Sequence, residues 1–220
     1  MTQGGPPPRA SRNDAGNDAG DDAYQIVDKT VCYDGHFRLE RHRVRFRLFA
    51  GGWSEVVERE VFERGHAAAV LLYDARLDRV VLVEQFRAPA VDAPGGPWLL
   101  ETVAGIIEAG ETAEAVVHRE AMEEAGCAVG ELVRIGEVLP SPGGCTERLT
   151  LYCGRVDAAA AGGIHGLAED GEDIRVVTMS ADEAMAAVAD GRIRAANAVI
   201  PLQWLALNRE RLRAAWGGPG

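Results

Sequence analysis

The stretch Gly105-Ile-Ile-Glu-Ala-Gly-Glu111, followed by Arg119-Glu120-Ala-Met-Glu123-Glu124-Ala-Gly126-Cys127, decides the reading of this chain. An α-helix turns by about 100° per residue, so Glu120, Glu123 and Glu124 share an arc of about 100°. Val116 and Val117 lie one turn earlier on nearly the same line, which makes a fully solvated acidic face unnatural. Carboxylates this close repel one another, and half-buried they need a counter-charge. Hard divalent cations are the usual partner of clustered carboxylate oxygens. Local chemistry supports the helix. Gly110 supplies turn freedom, Thr112 is an N-cap, and Gly126 fits a left-handed C-terminal cap. Glu111 and Arg119 are spaced to form an ion pair that ties the entry loop to the helix.

Gly, five residues, Glu, seven residues, then Arg-Glu-apolar-x-Glu-Glu-x-Gly-apolar resembles the signature of the Nudix hydrolases, and every glycine and polar position is filled. The resemblance implies an α/β fold, the α/β/α sandwich, and hydrolysis of a nucleoside diphosphate linked to another group.

Length, charge and cysteines bound the reading. A chain of 220 residues holds one sizeable core with room for a small appendage. With 34 acidic against 23 basic side chains, the net charge of −11 excludes the basic footprint of a nucleic-acid binder. An anionic substrate must then be met by metal ions and local arginines. The four cysteines are scattered without a CxxC pair, which reads as free thiols in a reducing compartment. No apolar run approaches the roughly 20 residues of a membrane span, and the N-terminus lacks the apolar core of a signal peptide. A soluble, cytoplasmic protein is expected, with neither nucleic acid nor membrane as partner.

Residues 1–23, rich in Gly, Pro, Asn, Asp and Ala, are expected to be disordered. Residues 24–64 read as a small antiparallel sheet of three strands, Tyr24–Tyr33, Phe37–Phe49 and Ser54–Phe62. Such a sheet cannot bury itself alone, so it needs another surface, plausibly a second subunit. Residues 65–216 read as the hydrolase domain. Its expected strands are Ala67–Tyr73, Arg79–Phe86, Trp98–Ala104, Leu132–Leu139, Arg148–Val156 and Ile174–Met179. The capping box Ser180-Ala-Asp-Glu183 opens one helix that ends near Gly191, and a last helix runs from Asn197 to Trp216 with Pro201 tolerated near its start. The long Gly- and acid-rich segment 157–173 between strands has the length of a functional loop.

Beyond the signature, several segments resemble the ADP-ribose pyrophosphatases over most of residues 25–216. They are Val61-Phe-Glu-Arg-Gly-His-Ala67, Glu84-Gln-Phe-Arg87, Trp98-Leu-Leu-Glu-Thr-Val-Ala-Gly105, Ser141-Pro-Gly-Gly144 with Glu147, Gly163-Ile-His-Gly-Leu-Ala168 and Glu172-Asp-Ile-Arg175. That resemblance implies magnesium, with manganese as the alternative ion, held by Glu120, Glu124, Glu172 and the backbone carbonyl of Ala104. Glu123 would add a further ligand directly or through water. The family places a glutamate as base two positions before the loop's metal ligand. Here that position is Asp170, shorter by one methylene, with Glu169 beside it as the next candidate. Arg87 is expected at the phosphates. Arg59 and Glu60 are expected to reach substrate from the N-terminal sheet, Glu147 to lie near the terminal ribose or the water, and Phe37 to stack on adenine. The resemblance also implies a homodimer with exchanged N-terminal sheets. The expected reaction is hydrolysis of ADP-ribose to AMP and ribose 5-phosphate. The alternatives are another nucleoside diphosphate sugar such as GDP-mannose or ADP-glucose, or a non-catalytic ADP-ribose sensor.

Overall fold

The computed structural model describes residues 23–167 and 171–218. Apart from Ala23, the expected tail 1–23 lies outside them, as do Glu169 and Asp170. The chain runs β1 (Tyr24–Asp34), β2 (Arg38–Phe46), β3 (Val57–Glu63), β4 (Ala67–Asp74), β5 (Arg79–Phe86), β6 (Trp98–Glu101), β7 (Val103–Ile106), α1 (Ala113–Ala125), β8 (Leu132–Val138), β9 (Leu149–Arg155), β10 (Ile164–His165), β11 (Ile174–Ser180), α2 (Ala181–Ala189) and α3 (Ala196–Trp216).

The first three strands pair antiparallel in the order β1-β2-β3. Every residue of β1 is exposed, and β1 is also an open edge. The other eight strands form one mixed sheet, β10-β11-β5-β4-β9-β8, with β6 added to β5 and β7 to β4. Strand β4, Ala67-Ala-Ala-Val-Leu-Leu-Tyr-Asp74, is buried throughout, as an apolar run lying at the centre of a sheet covered on both faces must be. Its alternate side chains serve two cores. Ala68, Val70 and Leu72 pack with Val116, Val117 and Ala121 of α1. Leu71 and Tyr73 pack with Ala184 of α2 and Leu202, Leu205 and Trp216 of α3. The result is the expected α/β/α sandwich beside a small antiparallel sheet.

The expected strand Trp98–Ala104 is two strands with different partners. β6 pairs with β5 and β7 with β4, and the chain crosses between them at the fully buried Thr102. Trp98-Leu-Leu100 before the crossing and Val103-Ala104 after it are both apolar and strand-forming, so their hydropathy gives no sign of the change of partner. The Thr102 hydroxyl donates to the Asn197 carbonyl at 2.7 Å. Pro201, four residues on in α3, has no N–H to offer that carbonyl, so the proline frees an acceptor in the first turns of α3 and the sheet corner takes it.

The segment joining β8 to β9 is pinned to β3. Phe62 N–H donates to the Gly144 carbonyl at 2.7 Å, and Thr146 N–H donates back to the Phe62 carbonyl at 3.2 Å. A turn closed on the Ser141 carbonyl by Gly144 and Cys145 N–H shapes that loop. The small sheet is thereby tied to the edge of the site.

Candidate active site

Helix α1 opens and closes as its sequence dictates. Thr112 accepts from Ala115 N–H at 3.1 Å, and Gly126 takes the left-handed conformation at φ 62°. Gly110 has φ 88°, in the region that favours glycine. Glu111 holds Arg119 by two contacts of 3.3 and 3.4 Å and accepts from Glu108 N–H at 3.0 Å, so one carboxylate fixes both loop and helix.

Arg119 also donates to Glu120 at 2.7 Å and to Glu123 at 3.2 Å. Glu124, one turn beyond Glu120, is buried and accepts from Ala104 N–H on β7 at 3.2 Å. Burial pushes the Glu124 carboxyl up to about 8, opposed by that N–H and reinforced by the charges of Glu120 and Glu172. Burial also raises Glu120, against Arg119 and together with Glu123 and Glu172. Glu172 comes from the far end of the long loop. That loop is docked on α1 through Gly166 N–H to the Glu123 carbonyl at 3.3 Å, and the His165 ring packs against Gly126. Leu167 N–H donates to the Glu172 carboxylate at 3.1 Å.

Glu120, Glu124 and Glu172 are thus electrostatic neighbours drawn from a helix and a loop. Among the described residues, no three His, Cys, Asp or Glu side chains close on a single point. The donor chemistry nonetheless fits a hard divalent ion. The groups are all oxygen donors, at least two of them resist ionisation without a counter-charge, and the Glu120 side chain fills space that a Cβ on Gly105 would occupy. The same loop–helix arrangement brings Ala104 into the cluster.

The substrate candidates divide. Arg87, just after β5, grips Glu101 through Nε at 3.2 Å and Nη2 at 2.9 Å, and its charge reaches Glu124 and Glu172. Glu147 accepts from Arg64 at 3.4 Å. Phe37 lies with its ring 5.3 Å from the Arg64 guanidinium and edge-on to Phe62. Arg64 therefore links Phe37 to Glu147. Arg59 and Glu60 sit on exposed positions of β3, with Arg59 donating to the Glu58 carbonyl at 2.8 Å. The base candidates Asp170 and Glu169 lie outside the described residues. Glu101 and Arg64 were missed in the sequence. A lone carboxylate in the apolar run Trp98-Leu-Leu-Glu-Thr-Val103 is the available signal for the first, and the place of Arg64 inside the segment Val61-Phe-Glu-Arg-Gly-His-Ala67 is the signal for the second.

A mixed sheet between helical layers, with a glycine loop feeding a carboxylate-bearing helix, defines a hydrolase of the Nudix class. The NUDIX domain model matches residues 63–200. An ADP-ribose pyrophosphatase of Escherichia coli strain K12 is 48% identical over 192 residues, covering 87% of this chain and 92% of its own. One from Haemophilus influenzae is 46% identical over 195 residues, covering 87% and 90%. A GDP-mannose pyrophosphatase of Pectobacterium atrosepticum is 35% identical over 179 residues, covering 81% and 91%. A crystal structure of an ADP compounds hydrolase matches with a TM-score of 0.65 at 18% identity, over 89% of this chain and 97% of that one, a likeness of fold. The chain belongs to the Nudix family of pyrophosphohydrolases and, within it, stands with the ADP-ribose pyrophosphatases. Among the described residues, no helix is long and apolar enough to cross a membrane.

Proposed function

We propose that this protein hydrolyses the pyrophosphate bond of ADP-ribose, with water, to AMP and ribose 5-phosphate, and that it requires magnesium, with manganese as a substitute. The observation that carries the proposal is the clustering of Glu120, Glu124 and Glu172 beside Arg87, in a chain 48% identical to an ADP-ribose pyrophosphatase. Glu120, Glu124, Glu172 and the Ala104 carbonyl would hold the metal, with Glu123 as an outer ligand. When bound, magnesium neutralises the diphosphate and lowers the pKa of a water. Asp170, or Glu169 next to it, would take the proton of the attacking water as a new P–O bond forms and the bridging P–O bond breaks, the displaced phosphate oxygen leaving with the bond's electrons. Arg119 steers the carboxylates and Arg87 binds phosphate oxygen.

Arg59, Glu60, Glu147 and Phe37 are assigned to the nucleoside and ribose ends. Since β1 is an exposed open edge carrying Ile26, Val31 and Tyr33, we assign the residue 24–64 sheet to homodimer formation, each copy completing its partner's site. The four cysteines form no disulfide, which supports a reducing, cytoplasmic setting.

Chromatography of ADP-ribose incubated with enzyme and magnesium tests the proposal, AMP and ribose 5-phosphate being the expected products. The GDP-mannose relative supplies the competitor. ADP-ribose should exceed GDP-mannose in kcat/KM, and a reversal would move the substrate to that second sugar nucleotide.

A further inference from the structure

Arg87 does not present its whole fork to the site. Its Nε and Nη2 both bind Glu101, a carboxylate 5% exposed. A third donor, Asn197 Nδ2 at 3.2 Å, completes the acceptor set of Glu101. Asn197 is itself fixed, because its carbonyl receives the Thr102 hydroxyl next door to Glu101. The carboxylate accepts but cannot donate, so the Asn197 amide must turn its NH2 inward. Its Oδ1 is then buried without a partner among the described residues. A buried amide oxygen left unbonded is unfavourable, so this arrangement gives up stability to complete the shell around Glu101.

We propose that Glu101 is a positioning residue, gripping one edge of the Arg87 guanidinium, with Asn197 locking the grip, so that the other edge meets the substrate diphosphate. The donors left to an anion are Nη1 and the second N–H of Nη2, in a fixed plane. The grip joins three parts of the fold: β6 supplies Glu101, the end of β5 supplies Arg87, and the first turn of α3 supplies Asn197. This inference rests on the proposed diphosphate reading, in which Arg87 binds phosphate. Partners that orient a ligating group commonly matter by about 10- to 100-fold.

The test compares steady-state kinetics of Arg87→Ala, Glu101→Gln, Asn197→Ala and the double variant Arg87→Ala/Glu101→Gln, with ADP-ribose and magnesium. Alongside them, inorganic pyrophosphate is titrated into ¹⁵N-labelled protein while the Arg87 Nε–H signal is followed. Glu101→Gln should lower kcat/KM by about 10- to 100-fold, chiefly through KM, and Asn197→Ala by less. The double variant should be no worse than Arg87→Ala alone, because Glu101 acts through Arg87. In the wild type the Nε–H signal should be sharp and shift with pyrophosphate, and Glu101→Gln should weaken that response. Asn197→Ala leaves the ion pair in place and so covers the case in which Glu101→Gln does not fold. Losses that multiply in the double variant, or a Glu101→Gln enzyme with wild-type KM and an unchanged pyrophosphate response, would overturn the inference. A wild type that ignores ADP-ribose would instead overturn the substrate reading, and the pyrophosphate titration, which needs no turnover, then decides the inference alone.

Discussion

Gly105 and Glu120 share one space: the Glu120 carboxylate and its Cγ lie where a side chain on Gly105 would begin. The glycine is required for close approach rather than for an unusual φ, and it lets the β7 backbone and the helix carboxylate meet. Gly105→Ala should displace Glu120 by a methyl's width. An error of about 1 Å in a reacting group costs on the order of 100-fold, and kcat/KM for ADP-ribose should fall by about that factor. Circular dichroism should remain that of the wild type.

Glu124 is a buried carboxylate that receives one backbone N–H and faces two other carboxylates. Glu124→Gln keeps its shape and removes its charge. The metal-free variant should be at least as stable as the metal-free wild type, because a buried charge short of partners is unfavourable. It should also lose the rise in Tm that magnesium gives the wild type, since ligands stabilise only the state they bind. Thermal unfolding with and without magnesium measures both effects. An undiminished magnesium response in the variant would remove Glu124 from the metal site.

Asp78, on the opposite side of the molecule, ties the β4–β5 turn to the C-terminal helix. It accepts from Tyr73 Oη at 2.7 Å and from Arg209 Nε at 2.9 Å, with a second bond from Arg209 Nη2. Arg209 first, then Tyr73, hold its carboxyl below the ordinary value against the opposing effect of burial. The folded pKa lies below the unfolded one, so the stabilisation is complete above about pH 4. It is lost as pH falls through the folded value, where the native carboxylate takes up its proton. Asp78→Asn should destabilise by about 2 kcal/mol at pH 7, and the wild-type advantage should vanish in acid. Asparagine tolerates the left-handed φ of 57° at this position, so the substitution adds no backbone strain. Urea titrations across pH 2–7 (about the range in which a carboxylate titrates) check both the size and the sign.

Much of this architecture was legible because it is local. The α1 caps, the Glu111–Arg119 pair and the unbroken apolar run of β4 follow from spacing and propensity along one segment. Thr102 shows where local reading stops. Apart from Glu101 the run Trp98–Ala104 is apolar on both sides of it, and the change of partner strand there goes with a hydrogen bond to Asn197 of α3, 95 residues away. Arg87 is similar. Its position in Glu84-Gln-Phe-Arg87 was readable, but its partner lies 14 residues away and arrives only through the β5–β6 pairing of Phe86 with Trp98. Asn197 is more distant still, and in the sequence it marks only the start of a helix. The metal carboxylates of α1 were plain, whereas their relation to Glu172 depends on how the long loop docks on Gly126 and the Glu123 carbonyl.

The exposed strand β1 predicts assembly. Light scattering at micromolar protein should give twice the 23.5 kDa mass of the chain. Replacing Val31, half exposed on that strand, by lysine should shift the population toward single chains. A monomeric wild type would remove the dimer from the account.

The central claim is that a carboxylate-held metal centre cleaves ADP-ribose, and one assay tests it directly. Wild type and Glu120→Gln are incubated with ADP-ribose and magnesium, and the products are resolved by chromatography. The account predicts equal amounts of AMP and ribose 5-phosphate from the wild type and a loss of at least about 100-fold in the variant. Intact ADP-ribose with the wild type, or undiminished turnover by Glu120→Gln, would contradict it.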